Sequence, residues 1–272
     1  MHYSLDKLRN LLCEVEFEHN ISVIYGLESG SRAWGFESQN SDYDVRFLYI
    51  RPINWYLCIE KRDDVLEFGT SDDIDLNGWD LRKSLLFLRQ SHPVLLEWLR
   101  SPVVYVEQPG IVQQMREIGE EFFAPRSSVH HYIGWAERIL HRYFQHSDLA
   151  AKRYFYVMRP ILCCRWIETV GGQPPLLMQE LITAIEMPVE TKLALENLIE
   201  RKRAGYELDS VGRIPALDKY ISEVLPQIKE FLVTLPKPEY APFELLNPLF
   251  HQALEEFAAK QPFPQFRLNK AL

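Results

Sequence analysis

The stretch Ile24-Tyr25-Gly26-Leu27-Glu28-Ser29-Gly30-Ser31-Arg32-Ala33-Trp34-Gly35, followed closely by Ser41-Asp42-Tyr43-Asp44-Val45-Arg46, decides how this sequence is read. Residues 21–27 are an apolar, β-branched run that predicts a strand. Ser29-Gly30-Ser31 breaks the run with small residues, a short helical linker follows, and residues 43–50 predict a second strand that opens on Asp-x-Asp. Side chains two apart on a strand share a face, so Asp42 and Asp44 project together and can hold the same divalent cations. Mg²⁺ prefers one or two carboxylates plus phosphate oxygens to an all-protein cage. Two Mg²⁺ ions are the expectation, with Mn²⁺ the alternative; such a pair activates an attacking hydroxyl and stabilises a leaving pyrophosphate. Gly30 lets the backbone approach a phosphate closely, and exposed amides with the Ser31 hydroxyl can hold a triphosphate tail. Arg32 adds a charge-assisted contact. A lone Gly-Ser or a lone Asp-x-Asp is weak. The two in this order, with Asp42 eleven positions after Ser31 and a strand on either side, point to a nucleotide site.

Outward from that unit, residues 5–17 form an amphipathic stretch, and residues 65–68 and 74–76 read as short strands joined by the turn-like Gly69-Thr70-Ser71-Asp72. Residues 81–89 and 94–99 have helical periodicity, so the first part of the chain reads as α+β with a mixed sheet. Beyond about residue 110 strand-like runs give way to amphipathic segments at 110–123, 128–146, 149–170, 189–205, 215–234 and 243–258. They are separated by Pro125, Gly171-Gly172, Pro174-Pro175, Pro188, Pro215 and the stretch Pro236–Pro242. The expected organisation is a catalytic domain over residues 1–108 and an α-helical domain over 109–272, ending in a loosely ordered or strap-like tail.

Composition narrows the class. The chain of 272 residues carries a net charge of −8, which argues against a strongly basic nucleic-acid binder. Residues 1–120 hold 12 Lys/Arg against 20 Asp/Glu, whereas residues 121–272 hold 18 of each, so the excess acidity lies with the proposed carboxylate site. Cys13, Cys58, Cys163 and Cys164 form no C-x-x-C and suggest neither a disulfide framework nor a zinc site. There is no apolar run of membrane-spanning length and no signal-peptide pattern, so the expected location is the cytoplasm, with no membrane partner. Oligomeric state is left open.

In the second half, Lys152, Tyr156 and Arg159 fall at i, i+4 and i+7 and make one helical stripe, a surface suited to a base and its phosphates or to an acceptor strand. His130, His131, His141 and His146 lack metal-ligand spacing and read as surface or boundary residues. Trp34 and Trp79 flank the motif carboxylates, as stacking platform or apolar wall. Glu97, the odd polar residue in HPVLLEW, reads as solvated.

The Gly-Ser turn joined to a downstream Asp-x-Asp resembles the motif of the DNA polymerase beta superfamily of nucleotidyltransferases. The strings GSRAWGF, SDYDVRFLYI, DIDLNGWDLRKSL, HPVLLEWLRSPVVY and KRYFYVMRPILCCRWIE further resemble the RlaP/YcgL-like family, polymerase-beta-like proteins associated with RNA repair. The resemblance implies the polymerase-beta-like fold and transfer of a nucleoside monophosphate from a nucleoside triphosphate to an acceptor hydroxyl, with RNA as the leading acceptor. Transfer to a protein or small molecule, and a non-catalytic nucleotide- or partner-binding module, are the rivals. It also implies a third carboxylate on a neighbouring strand. Asp75, between Ile74 and Leu76, is favoured; Asp80 is the alternative, although its place before a helical run suits a cap. Arg82 and Lys83 in that helix's first turn are further candidates for phosphate contact, with solvated surface the favoured reading for at least one of them.

Overall fold

The computed structural model describes residues 3–71, 73–146, 149–206 and 210–260. The first part runs α1 (Leu5–His19), β1 (Ser22–Glu28), α2 (Gly30–Ala33), β2 (Tyr43–Ile50), α3 (Ile53–Tyr56), β3 (Val65–Ser71) and β4 (Ile74–Asp80). Then come α4 (Leu81–Arg89), α5 (Pro93–Leu99), β5 (Val104–Glu107), α6 (Pro109–Glu121), α7 (Pro125–Tyr143) and α8 (Ala151–Thr169). The chain continues through α9 (Met178–Ala184), α10 (Val189–Arg203), α11 (Pro215–Thr234) and α12 (Phe243–Lys260). The α+β reading is therefore correct, with a mixed sheet first and helices after it.

The sheet order is β3-β4-β2-β1-β5. β2 and β4 are parallel and the other pairs antiparallel. The parallel register sets Asp44 opposite Asp75 and Tyr49 opposite Asp80. Alternation along β2 then assigns the faces. Tyr43, Val45, Phe47 and Tyr49 pack with Leu8, Leu12 and Val15 of α1. Leu48 and Ile50 point the other way, onto Leu81, Leu85, Leu95, Trp98 and Met115. Asp44 and Arg46 share that second face nearer the start of the strand, beyond the reach of this core.

Core membership crosses residue 108. Ile111, Val112 and Met115 of α6, with Leu246, Leu249 and Phe257 of α12, bury against the sheet side. A separate core is built from α7 to α11 around α8, whose buried residues lie on all sides of the helix. A helix apolar all round belongs inside a protein. The loop between α2 and β2 is fastened to this core: Phe36 stacks on Phe155 at 4.8 Å, Met178 N donates to Trp34 O at 3.0 Å, and Arg203 Nη2 donates to Gly35 O at 2.9 Å. The motif loop thereby joins the sheet to the helices.

Several local readings are corrected. β3 extends through Ser71, into the expected turn at residues 69–72, with Ser71 still paired to Ile74, and Asp73 has a left-handed φ of 64°. β5 and α9 are elements that the sequence pattern does not mark. β5 is four residues long, flanked by prolines, and is held by pairing with β1 rather than by its own pattern. Asp72 of the expected turn and the tail at 261–272 lie outside the described residues.

Candidate active site

The strand floor of the site is set by one close approach. Gly30 has φ 61°, and a Cβ built on it would lie 1.9 Å from Asp44 Oδ2. Glycine is therefore needed twice, for its backbone conformation and for its missing side chain. Ser29 N donates to Asp44 O at 2.9 Å, tying the turn to the head of β2. The first amides of the short helix α2 have no intrahelical acceptors. Gly30, Ser31, Asp42 and Asp44 all line a cavity of about 360 Å³, within the range of small-ligand sites. Arg32 is turned away from it. Its Nη2 donates to Ser41 O at 2.7 Å and its Nε to Asp42 O at 3.2 Å, while its guanidinium lies 3.8 Å from the Tyr43 ring centroid. In this arrangement Arg32 braces the loop that presents Asp42.

Asp75 lies beside Asp44 on β4, and Arg46 bridges them. Its Nη2 donates to Asp75 Oδ2 at 2.7 Å and to Asp44 Oδ1 at 3.1 Å. Asp80 is an odd number of residues further along, so a regular strand aims it at the opposite face. It is fully buried, accepts from Arg82 N at 2.8 Å as the cap of α4, and accepts from Tyr56 Oη at 2.7 Å. Burial pushes its carboxyl above the usual range against these bonds. Lys83 is paired with Asp64 at 2.9 Å and Arg82 lies over Trp55 and Tyr56, so neither cation is at the cavity.

Glu28 was missed as a participant. At the end of β1 it is 1 % exposed, accepts Asp44 N at 2.8 Å on Oε1 and receives the Tyr105 hydroxyl on Oε2. Desolvation raises its pKa to about 7. Burial raises that of Asp44 too, opposed by Arg46 and reinforced by the charges of Asp75 and Asp42. A lone acid closing an apolar strand was the available sequence signal.

The helical wall faces these carboxylates. Lys152, Tyr156 and Arg159 line the same cavity from α8, so the stripe looks inward. Across the two turns from Lys152 to Arg159 the wall extends roughly 10 Å at the helical rise. Arg159 is buried, with Nη1 on Glu97 Oε1 at 2.9 Å and its guanidinium 4.4 Å from the Trp34 ring centroid. Glu97 also accepts from Tyr132 Oη at 2.8 Å, so it is not the solvated residue the sequence suggests. Lys202 of α10 lines the cavity and was not foreseen. It lies in the run Glu200-Arg201-Lys202-Arg203, where a polar helix face gives no reason to single it out. Burial and repulsion by Lys152 bring its pKa down to about 8, against the pull of Asp42 and Asp44. Trp98, His131 and Trp135 line the same cavity as Arg159. Trp79 instead packs on Trp98 at 4.0 Å, inside the apolar wall.

The donors Asp42, Asp44 and Asp75 offer hard oxygens only, which suits Mg²⁺ or Mn²⁺. Among the described residues no three His, Cys, Asp or Glu side chains converge tightly enough to hold an ion unaided. A cation completed by ligand phosphates needs fewer protein groups, so the donor set fits.

Comparison with known families places the chain among polymerase-beta-like nucleotidyltransferases. A family model described as "RNA repair pathway DNA polymerase beta family" matches residues 6–252, and the chain belongs to that family, RlaP. It is 42% identical over 245 residues to the uncharacterized protein YcgL of Bacillus subtilis (strain 168), covering 90% of this chain and 94% of that one. A solved nucleotidyltransferase-like protein from Exiguobacterium sibiricum aligns over 94% of this chain and 81% of its own at 11% identity and a TM-score of 0.28, too distant to bear on the site.

Proposed function

We propose that this protein transfers a nucleoside monophosphate from a nucleoside triphosphate to an acceptor hydroxyl, releasing pyrophosphate. The carrying observation is convergence: Gly30, Ser31, Asp42 and Asp44 from the sheet side and Lys152, Tyr156, Arg159 and Lys202 from the helices line one cavity. In this reading the triphosphate lies between the Gly30-Ser31 amides and the ammonium groups of Lys152 and Lys202. The base extends toward Arg159, Trp98 and Trp135, where a ring can stack. Asp42 and Asp44, with Asp75, would hold the divalent cations. When bound, these ions supply charge against the phosphates and favour deprotonation of the attacking hydroxyl. Asp75 receives that proton, while Glu28 and Arg32 fix the backbone around Asp44 and Asp42. RNA is the acceptor the family description favours.

The test is transfer of label from each triphosphate into total cellular RNA, protein and metabolite fractions, by the native chain, Asp42→Ala and Asp44→Ala. Loss in both variants is expected; undiminished transfer in both contradicts the mechanism. Label entering protein or metabolites instead of RNA changes the acceptor. Thermal stabilisation by nucleotide and Mg²⁺ without any pyrophosphate release assigns a binding module.

A further inference from the structure

Arg46 occupies an unusual position for a residue of a cation site. It follows Asp44 by two residues on β2, so the two side chains share a face. Asp44 and Asp75 sit in parallel register, and strands pair about 4.8 Å apart. Two carboxylates so placed repel one another and demand a counter-charge. The Arg46 guanidinium provides it, with Nη2 on both carboxylates, while Nη1 donates to the carbonyls of Asp75 at 2.9 Å and Val45 at 3.1 Å. Its side chain is 16% exposed and lines the cavity.

We propose that Arg46 is the resident counter-ion of the carboxylate site, standing between Asp44 and Asp75 in the metal-free protein and giving up both when a divalent cation binds. The inference rests on the reading that these aspartates hold cations. A guanidinium and a dication competing for the same two oxygens repel strongly at such short range, so they do not share them. Arg46 keeps Asp44 and Asp75 poised without a metal, at the cost of weaker binding by the bare ion. Once displaced it remains at the cavity wall, beside the proposed path of the phosphates, so metal and nucleotide bind more tightly together than either does alone.

The full-length chain is titrated with Mn²⁺ alone at about pH 8, where ordinary carboxylates are ionised, and free Mn²⁺ is read by electron paramagnetic resonance. Arg46→Gln is expected to bind at least about tenfold more tightly than the native protein, since a repelling charge is gone. Arg46→Lys, whose ammonium lacks the bidentate fork, is expected between the two. Adding Asp44→Asn to Arg46→Gln should abolish the gain. A merely structural arginine would lower the melting temperature without tightening Mn²⁺. If the native protein binds Mn²⁺ and both Arg46 variants bind equally or less tightly, the counter-ion role is overturned while the carboxylate site stands. If neither the native chain nor any Arg46 variant binds Mn²⁺, the counter-ion inference is overturned, while the carboxylate reading, in which phosphates complete the cation's shell, is judged by label transfer in Asp42→Ala and Asp44→Ala.

Discussion

The two sides of the cleft are specified in different ways. On the sheet side, Gly30, Asp42 and Asp44 are fixed by spacing along one short stretch, and a few backbone bonds suffice to assemble them. On the helical side, Lys152 and Arg159 of α8 meet Lys202, some forty positions further along on α10, only because the two helices pack in one core. The sheet side is therefore vulnerable to sub-ångström local change, whereas the helical side is vulnerable to lost burial and lost charge pairing.

The sharpest break in that contrast is Glu97→Ala. It leaves the Arg159 guanidinium buried beneath Trp34 without its carboxylate, and removing one partner of a buried pair costs about 3–5 kcal/mol. Urea unfolding should show that loss, and adding Arg159→Met should recover most of it. Gly30→Ala strikes the other side: its Cβ meets Asp44 Oδ2, so transfer should fall by on the order of 10²–10³-fold. Gly134→Ala is the control. Nothing lies within 4 Å of a Cβ there, and α7 should gain up to roughly 1 kcal/mol from the better helix former.

Two smaller effects depend on pH. Glu28 has a folded pKa of about 7 against 4.5 ordinarily, so the folded state binds the extra proton. Its stabilising contribution is complete below pH 4.5 and is lost as pH rises through 7. Between about pH 5 and 7 that loss amounts to about 2 kcal/mol, and Glu28→Gln should remove this slope from denaturant titrations. For Lys202, with a pKa near 8, nucleotide affinity should weaken several-fold as pH rises past that value. Lys202→Arg should flatten the profile, because a guanidinium stays charged.

The same contrast explains what could be read in advance. That Asp42 and Asp44 line one cavity was legible from their spacing of two at the head of β2, although Asp42 itself precedes the strand. β2 and β4 were recognisable, but their parallel register, which brings Asp75 beside Asp44, is a tertiary fact. The Lys152-Tyr156-Arg159 stripe was visible as a helical spacing; its inward direction was not, because α8 is surrounded by other helices. Lys202 and Glu97 carried no local signal, since a buried ion partner cannot be told from a solvated charge without the element that covers it. β5 was too short to announce itself and owes its existence to the edge of β1. Arg32 shows the converse: a basic residue beside a Gly-Ser turn invites a ligand role, whereas in the structure two carbonyls and the Tyr43 ring hold its guanidinium.

The central claim, that the cleft directs attack at the α-phosphorus, is tested most directly by where label goes. The native chain is incubated with Mg²⁺, the acceptor fractions and a triphosphate labelled in parallel at the α- or the γ-phosphate. The α-label is expected in the acceptor and the γ-label in released pyrophosphate, with neither product from Asp42→Ala or Asp44→Ala. Transfer of the γ-label to the acceptor, or α-label incorporation that survives both substitutions, would contradict it.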